Sequence, residues 1–303
     1  MITRDIEQFF ALARTLDTDF GPACANAVFM VSPVGFSLAE QSARDNRYMQ
    51  MHQVVNVESA IAEHQALQLA IQPYCPVICF AGDAQMPDAV FPNNVFATTA
   101  GKSIIGHMRH PVRQREALRM DIRQFFTDVL SYQEIDLSQQ AGICELTGSM
   151  VIDRARGLGF CGLSERCDAE GAAAMHKAFG LRATLMFELA EGEYHSNVVL
   201  SILASRALII APSGFANSKV ANAIADFYQP AVIEISAVQK AEFAANCISL
   251  TQQVVFMSSR AEHCLSAAQL ATLHDLGFAI HVVPMPMLEL AGGSLRCCVG
   301  EVF

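Results

Sequence analysis

Residues 198–235 read VVLSILASRALIIAPSGFANSKVANAIADFYQPAVIEI, and they contain the unit from which the rest of the chain is assembled. Val198–Leu203 and Ala207–Ala211 are short apolar runs set close together, the pattern of two paired strands. Asn217 then stands at a helix N-cap position, ahead of a helical stretch that runs to Tyr228. Val232–Ile235 returns as a third apolar strand. This succession of strands, helix and returning strand recurs at intervals of roughly 50–60 residues along the chain.

Outward from that unit, strands are expected at Ala27–Val31, Cys75–Phe80, Val95–Thr99, Ser103–Gly106, Met150–Asp153, Gly159–Gly162, Thr184–Glu188, Cys247–Leu250, Gln253–Ser258 and Ala279–Val283. Further helices are expected at Ser37–Asn46, Val57–Gln72, Pro111–Asp128, Asp168–Phe179, Ser236–Asn246 and Ser266–Leu276. No Ser/Gly linker, low-complexity tract or shift of composition divides residues 1–303, so one domain of similar modules is expected rather than two. Periodicity alone leaves a doubly wound parallel sheet open as well.

The composition limits the function. The chain has 303 residues, 52% hydrophobic and 17% charged, enough for a sizeable core. With 20 Lys+Arg against 30 Asp+Glu the formal charge is −10, a field that repels a phosphate backbone, and no local basic patch offsets it. There is no Trp, and Phe accounts for most aromatics, so stacking platforms for nucleic acid are not expected. The opening MITRDIEQFF lacks a signal-peptide core and the longest apolar run is far short of a membrane span, which points to the cytoplasm. The 10 cysteines include no C-x-x-C pair, so neither a disulfide framework nor a structural zinc site is expected.

Several clusters carry candidate chemistry. Gly157–Gly162 fits G-x-G-x-x-G, but no helix opens at its last glycine, and a hairpin is the better reading than a dinucleotide site. Cys297 and Cys298 follow Ala291-Gly292-Gly293-Ser294-Leu295-Arg296. Open backbone amides and an adjacent cation are what a nucleophilic thiolate requires, although a small thiol in a buried terminal strand would look the same. His195 lies in Glu193-Tyr194-His195-Ser196-Asn197, at the mouth of a strand whose alternation would put His195 and Asn197 on one face. Asp88 through Asn94 interrupt an apolar run with a carboxylate and two amides, where an Asx turn is the plain reading. Glu145 faces an apolar run with no obvious local cation.

Taken together, Asp88 to Asn94, Arg113, Glu145, Arg166, His195 with Asn197, and Cys297 after Gly-Gly-Ser-Leu-Arg resemble, in order and spacing, the guanidine-modifying superfamily. This superfamily includes arginine deiminases, dimethylarginine dimethylaminohydrolases, amidinotransferases and arginine or citrulline hydrolases. The resemblance runs from about residue 27 to the end of the chain. It implies an α/β fold, a five-bladed propeller (pentein) of ββαβ modules about a polar channel. It further implies Cys297 as nucleophile, with Cys298 the competing thiol, His195 as general acid and base, and Glu145 as the carboxylate that orients it. Arg113 and Arg166 match positions that hold a substrate α-carboxylate, Asp88 one that accepts from its α-ammonium, and Asn93, Asn94 and Asn197 complete the substrate-binding set. Neither a metal nor an organic cofactor is implied.

In deiminases the positions of Asn94 and Asn197 are usually Asp, which grips a cationic guanidinium. An amide both donates and accepts, so it suits a neutral ureido group better. The expected activity is therefore cysteine-dependent hydrolysis at the ureido or guanidino carbon of citrulline or arginine, giving ornithine, ammonia and carbon dioxide. A deiminase or dimethylarginine hydrolase releasing citrulline is the alternative, and a non-catalytic amino-acid-binding homologue a third reading. The partner is a small molecule, neither nucleic acid nor membrane, and a homo-oligomer is compatible with the sequence. Ser32–Arg47, with Arg44 and Asn46, is the expected entrance segment.

Overall fold

In the computed structural model, which describes all 303 residues, residues 198–235 form one three-stranded sheet and its crossover helix. Leu200–Leu203 pairs antiparallel with Ala207–Ile210, and Val232–Glu234 returns parallel to Ala207–Ile210 through helix Ser218–Tyr228. A tight turn can join only antiparallel neighbours, so the parallel return needs the helix. Asn217 caps it by accepting from Lys219 N. Val220, Ala221, Ile224 and Tyr228 recur at helical spacing and bury against Leu208 and Ile210.

The strands in chain order are β1 (Ile2–Thr3), β2 (Ala27–Val31), β3 (Val77–Phe80), β4 (Phe96–Thr99), β5 (Lys102–Ile105), β6 (Gln133–Asp136), β7 (Met150–Asp153), β8 (Leu158–Leu163), β9 (Ala183–Glu188), β10 (Leu200–Leu203), β11 (Ala207–Ile210), β12 (Val232–Glu234), β13 (Ile248–Thr251), β14 (Val254–Ser258), β15 (Ala279–Val283) and β16 (Gly300–Val302). They build five separate sheets, ordered β16-β2-β3, β4-β5-β6, β7-β8-β9 with β1 at its edge, β10-β11-β12 and β13-β14-β15. Each sheet joins an antiparallel pair to a parallel third strand, which makes the fold a mixed α/β one without a doubly wound sheet. In one sheet the last strand of the chain, β16, pairs with β2 near its start.

The first strands of neighbouring sheets pack together, β16 on β4 and β10 on both β7 and β13. Short hydroxyl side chains make these junctions: Thr98 Oγ1 donates to Glu301 O at 2.8 Å, Ser201 Oγ to Cys247 O at 2.8 Å, and Ala204 N donates to Ser249 Oγ at 2.6 Å. Separate apolar clusters fill the spaces outside these strands; one seats helix Val57–Ile71 against β2 and β14.

Residues 157–162 are not a cofactor loop: Gly157, with φ +68°, sits in the turn of the β7–β8 hairpin. Ser37–Asn46 is not a helix but a single 3₁₀ turn at Ser42–Arg44, because its polar groups are drawn into tertiary bonds. Pro111–Asp128 breaks into Pro111–Gln114, a 3₁₀ turn at Arg115–Leu118, Met120–Gln124 and a wide turn at Phe125–Val129. The break follows an Arg113–Glu116 pair at i,i+3, a spacing that the tighter 3₁₀ winding aligns. The helix expected at Ser236–Asn246 stops at Ala241, because Phe243 adopts φ +60° and turns the chain toward Asn246. No helix is long and apolar enough to cross a membrane.

Candidate active site

Four short turns converge, Pro92–Asn94, Leu146–Ser149, Ser196–Val198 and Leu295–Cys298, each leading directly into the first strand of a sheet. Asn246, just before β13, supplies the fifth position. The polar side chains Asn94, Asn197, Asn246 and Cys297 therefore occupy equivalent places in four different sheets. His195 and Asn197 do not alternate along a strand as expected. His195 is extended and Ser196–Val198 is a 3₁₀ turn, which aims Asn197 at the Cys297 sulfur.

Cys297 is buried, and its Sγ lies 3.3 Å from Asn246 Nδ2 and 3.8 Å from Asn197 Nδ2. Asn246 also donates to Asn197 O at 3.0 Å, so the two amides and the sulfur form one cluster. Arg296, expected to activate the thiol, instead bonds Val299 O and Glu301 Oε2, both at 2.8 Å. Burial pushes the Cys297 thiol above its ordinary value, against the hydrogen bond from Asn246 and the weaker pull of Arg296. Cys298 points away from the cluster: its Sγ lies 3.7 Å from Ser294 O, packed in an apolar core. Burial raises that thiol much further.

His195 is fully buried, and its Nε2 meets Glu145 Oε2 at 2.9 Å. The missing local cation of Glu145 comes from far along the chain: Arg166 Nη1 reaches Oε2 at 3.4 Å, and Arg109 N donates to Oε1 at 3.1 Å. Burial pushes the Glu145 carboxyl up, but Arg166 and the His195 contact outweigh it and hold the group well below the ordinary range. Burial also lowers His195, and Glu145 only partly opposes this. At neutral pH the resting pair is thus a thiol and a neutral imidazole beside a carboxylate.

A cleft lined by Asp88, Asn94, Arg113, Arg166, Tyr194 and Cys297 opens onto this cluster. Arg113 and Arg166, expected as free carboxylate binders, each already have an acidic partner. Glu116 holds Arg113 Nε and Nη2 at 2.9 and 2.8 Å, leaving Nη1 without a protein acceptor. Asp45 holds Arg166 Nε at 2.9 Å and Nη2 at 2.5 Å, and the guanidinium lies over the Tyr194 ring. The expected entrance segment is seated over this cleft. Ser42 donates to Asp88 Oδ2 at 2.5 Å, Asn46 donates to Gly292 O at 3.3 Å, and Arg47 and Tyr48 bind Glu193.

Eight buried side-chain polar atoms in the chain have no partner, and five of them belong to this site: Asn93 Nδ2 and Oδ1, Asn94 Oδ1, His195 Nδ1 and Asn246 Oδ1. Buried polar atoms are nearly always paired, so a cluster of orphans marks groups arranged for a ligand. Gly148 makes room for them. A Cβ there would stand 2.5 Å from Asn94 Oδ1 and 2.7 Å from His195 Cε1. Gly148→Ala is therefore expected to displace both groups, costing about 1–3 kcal/mol of stability and lowering kcat/KM about 10²-fold. Chemical denaturation and steady-state kinetics would show both losses.

Asn246, Glu116 and Asp45 were not picked out from the sequence. Asn246 had a signal: like Asn94 and Asn197, it is an amide just ahead of an apolar strand at the start of a module. Glu116 had one as well, its i,i+3 spacing from Arg113, whereas Asp45 had none, since its partners Arg166 and His110 are distant in sequence.

The model of the family described as N,N dimethylarginine dimethylhydrolase, eukaryotic, matches residues 32–303. The chain belongs to this family. Membership in the N,N dimethylarginine dimethylhydrolase family makes it a hydrolase acting on C–N bonds of amidines, within the guanidine-modifying superfamily. Among solved structures, the N-terminal domain of ArgZ, an arginine dihydrolase from the ornithine-ammonia cycle in Cyanobacteria, superposes with a TM-score of 0.78 at 18% identity, covering 91% of this chain and 97% of that one. Unliganded AgrE gives 0.79 at 20% identity over 91% of this chain and 39% of AgrE. A dimethylarginine dimethylaminohydrolase adduct with S-methyl-L-thiocitrulline gives 0.69 at 19% identity over 91% and 99%. No curated protein matches the chain.

Proposed function

We propose that this chain is a cysteine-dependent hydrolase that carries the guanidino or ureido carbon of an arginine-like amino acid through to ornithine, in one catalytic domain whose five sheets are the blades of a propeller. The observation that carries this reading is the pair of amides, Asn197 and Asn246, at the Cys297 sulfur. Glu145, the carboxylate beside His195, is already occupied by His195, Arg166 and Arg109 N. A neutral ureido group, with N–H donors and a C=O acceptor, matches amide partners on both counts.

In the proposed mechanism Cys297 passes its proton to His195, which becomes an imidazolium beside Glu145, and the sulfur attacks the carbon. His195 then delivers a proton to the departing nitrogen, and the C–N bond breaks as ammonia leaves. His195, now neutral, takes a proton from water, which attacks the thiol-linked carbon and frees the sulfur. From arginine this pass leaves citrulline. A second pass over the ureido carbon releases another ammonia and a carbamic acid, which loses carbon dioxide to give ornithine. Asp88 and Arg113 Nη1 are proposed to hold the α-ammonium and α-carboxylate at the far end of the cleft, with Arg166 positioning Glu145.

The family's description favours a second reading, release of dimethylamine from dimethylarginine with citrulline as product. Incubating the protein separately with arginine, dimethylarginine and citrulline separates the two. Ornithine from arginine and citrulline is the expected result. Citrulline accumulating unchanged, with dimethylamine the only amine released, would overturn the ornithine reading.

A further inference from the structure

Behind Asn197 lies a second cavity that the proposed chemistry does not use. Its volume is about 40 Å³, and Thr147, Asn197, Arg154, Arg296 and Glu301 are among the residues that wall it. One water needs ~10–15 Å³, so the space suits an occupant of a few heavy atoms. Asn197 Nδ2 touches both the Cys297 sulfur and Thr147 O, placing the cavity one side chain from the reaction centre.

The charges in its wall do not balance. Arg154 and Arg296 are about nine-tenths buried, and both face a single carboxylate, Glu301, at 3.9 and 2.8 Å. Arg296 is committed to Glu301 and to Val299 O. Arg154 donates a single hydrogen bond, to Thr98 O at 3.2 Å, leaving most of its five N–H groups without an acceptor. Its other neighbours are the faces of Phe303 and Phe179, which accept no N–H of comparable strength. Burial pulls the Arg154 guanidinium down to about 10, against Glu301 and with Arg296, and it is still charged at neutral pH. With Glu301 as the one carboxylate facing both guanidinium groups, the wall carries one positive charge in excess.

We propose that this cavity binds one small monovalent anion, held by the free N–H groups of Arg154, with Arg296 contributing positive charge beside it rather than a hydrogen bond. Two sources share that chemistry: chloride from the medium, and bicarbonate, the hydrated form of the carbon dioxide released on the ornithine reading. Only the second source rests on that reading; the binding itself does not.

The test is calorimetric titration of the intact protein, in a buffer whose only other anion is a bulky sulfonate, with sodium chloride and with sodium bicarbonate. One saturable site per chain is expected. Arg154→Met should weaken binding about tenfold or more, the loss of one charge-assisted contact. Glu301→Gln should tighten it, because the competing negative charge is gone. A merely structural role for the pair would weaken binding in both variants, so the opposite signs are diagnostic even if Arg154→Met folds poorly. Bicarbonate displacing chloride at lower concentration would name the product as the natural occupant, and the reverse would name the medium. Absence of saturation by either anion, or weaker binding in Glu301→Gln, would overturn the proposal. No turnover is measured, so that failure leaves the hydrolase reading standing.

Discussion

If Cys297 is the nucleophile as proposed, Cys297→Ser is expected to lower kcat on arginine or citrulline by about 10⁴-fold or more, because a hydroxyl is far less acidic than a thiol and gives up its proton to His195 much less readily. The cleft, the two amides at 3.3 and 3.8 Å and the His195–Glu145 pair all remain, so substrate affinity measured by calorimetry should change little. Cys298→Ser is the matching control. That thiol packs in the apolar cluster with Val299 and Leu295, so the substitution buries a hydroxyl in the core and is expected to cost stability, about 1–3 kcal/mol, while turnover persists. The opposite pattern, turnover lost with Cys298 and kept without Cys297, would move the nucleophile by one residue. Iodoacetamide mapping gives an independent check. Because burial raises both thiols and Cys298 more, alkylation at neutral pH should be slow at Cys297, slower at Cys298, and faster at both as pH rises past 9.0.

What the sequence reveals is uneven, for physical reasons. The recurring module was legible because it carries its own local signals, alternation or short apolar runs for the strands and a capping side chain such as Asn217 or Ser266 for the crossover helix, whereas the number five came only from the resemblance. β6 was missed because Gln133-Glu134-Ile135-Asp136 is half polar and partly exposed, and β16 because Gly300-Glu301-Val302 is too short to show a period. Ser37–Asn46 had a helix's composition, yet Ser42, Asp45 and Asn46 find better partners in Asp88, Arg166 and Gly292, residues that no local pattern brings near. At the site, the residues proposed to react stood out because each is a polar side chain in an apolar setting. Their ionic supports did not. The Glu145–Arg166–Asp45 chain is tertiary, whereas the Arg113–Glu116 pair is a local i,i+3 contact, and together they give Arg113 and Arg166 tasks beyond the substrate-binding one that the resemblance implies. Arg296 shows the converse: a cation adjacent in sequence to the thiol spends its donors on Glu301 and Val299 instead.

Glu145→Gln is expected to lower kcat/KM by about 10²–10⁴-fold, the range for neutralising the third member of such a constellation. The carboxylate accepts from His195 and would stabilise the imidazolium that forms when the Cys297 proton moves; a neutral amide in the same place cannot. The pH profile distinguishes this from general damage. The reactive form holds one proton between Cys297 and His195, so kcat/KM falls on the acid side when His195 gains a second proton, and on the alkaline side when the thiol loses the only one. With His195 lowered from 6.5 by burial and Cys297 raised from 9.0 by burial, the wild-type profile should stay flat across at least that interval. Removing Glu145 removes what holds the imidazole up, so the acid limb should move to still lower pH; a limb that stays in place, or moves up, would contradict the assigned role. Stability carries a second sign. A carboxyl held below its ordinary 4.5 contributes stability that is present above that pH and is lost as pH falls through the folded-state value. Breaking this buried pair should cost about 3 kcal/mol at neutral pH, since Arg166 would keep only Asp45. The gap between wild type and Glu145→Gln should therefore be full above about pH 4.5 and narrow as the solution becomes more acidic, which denaturation at a series of pH values would show.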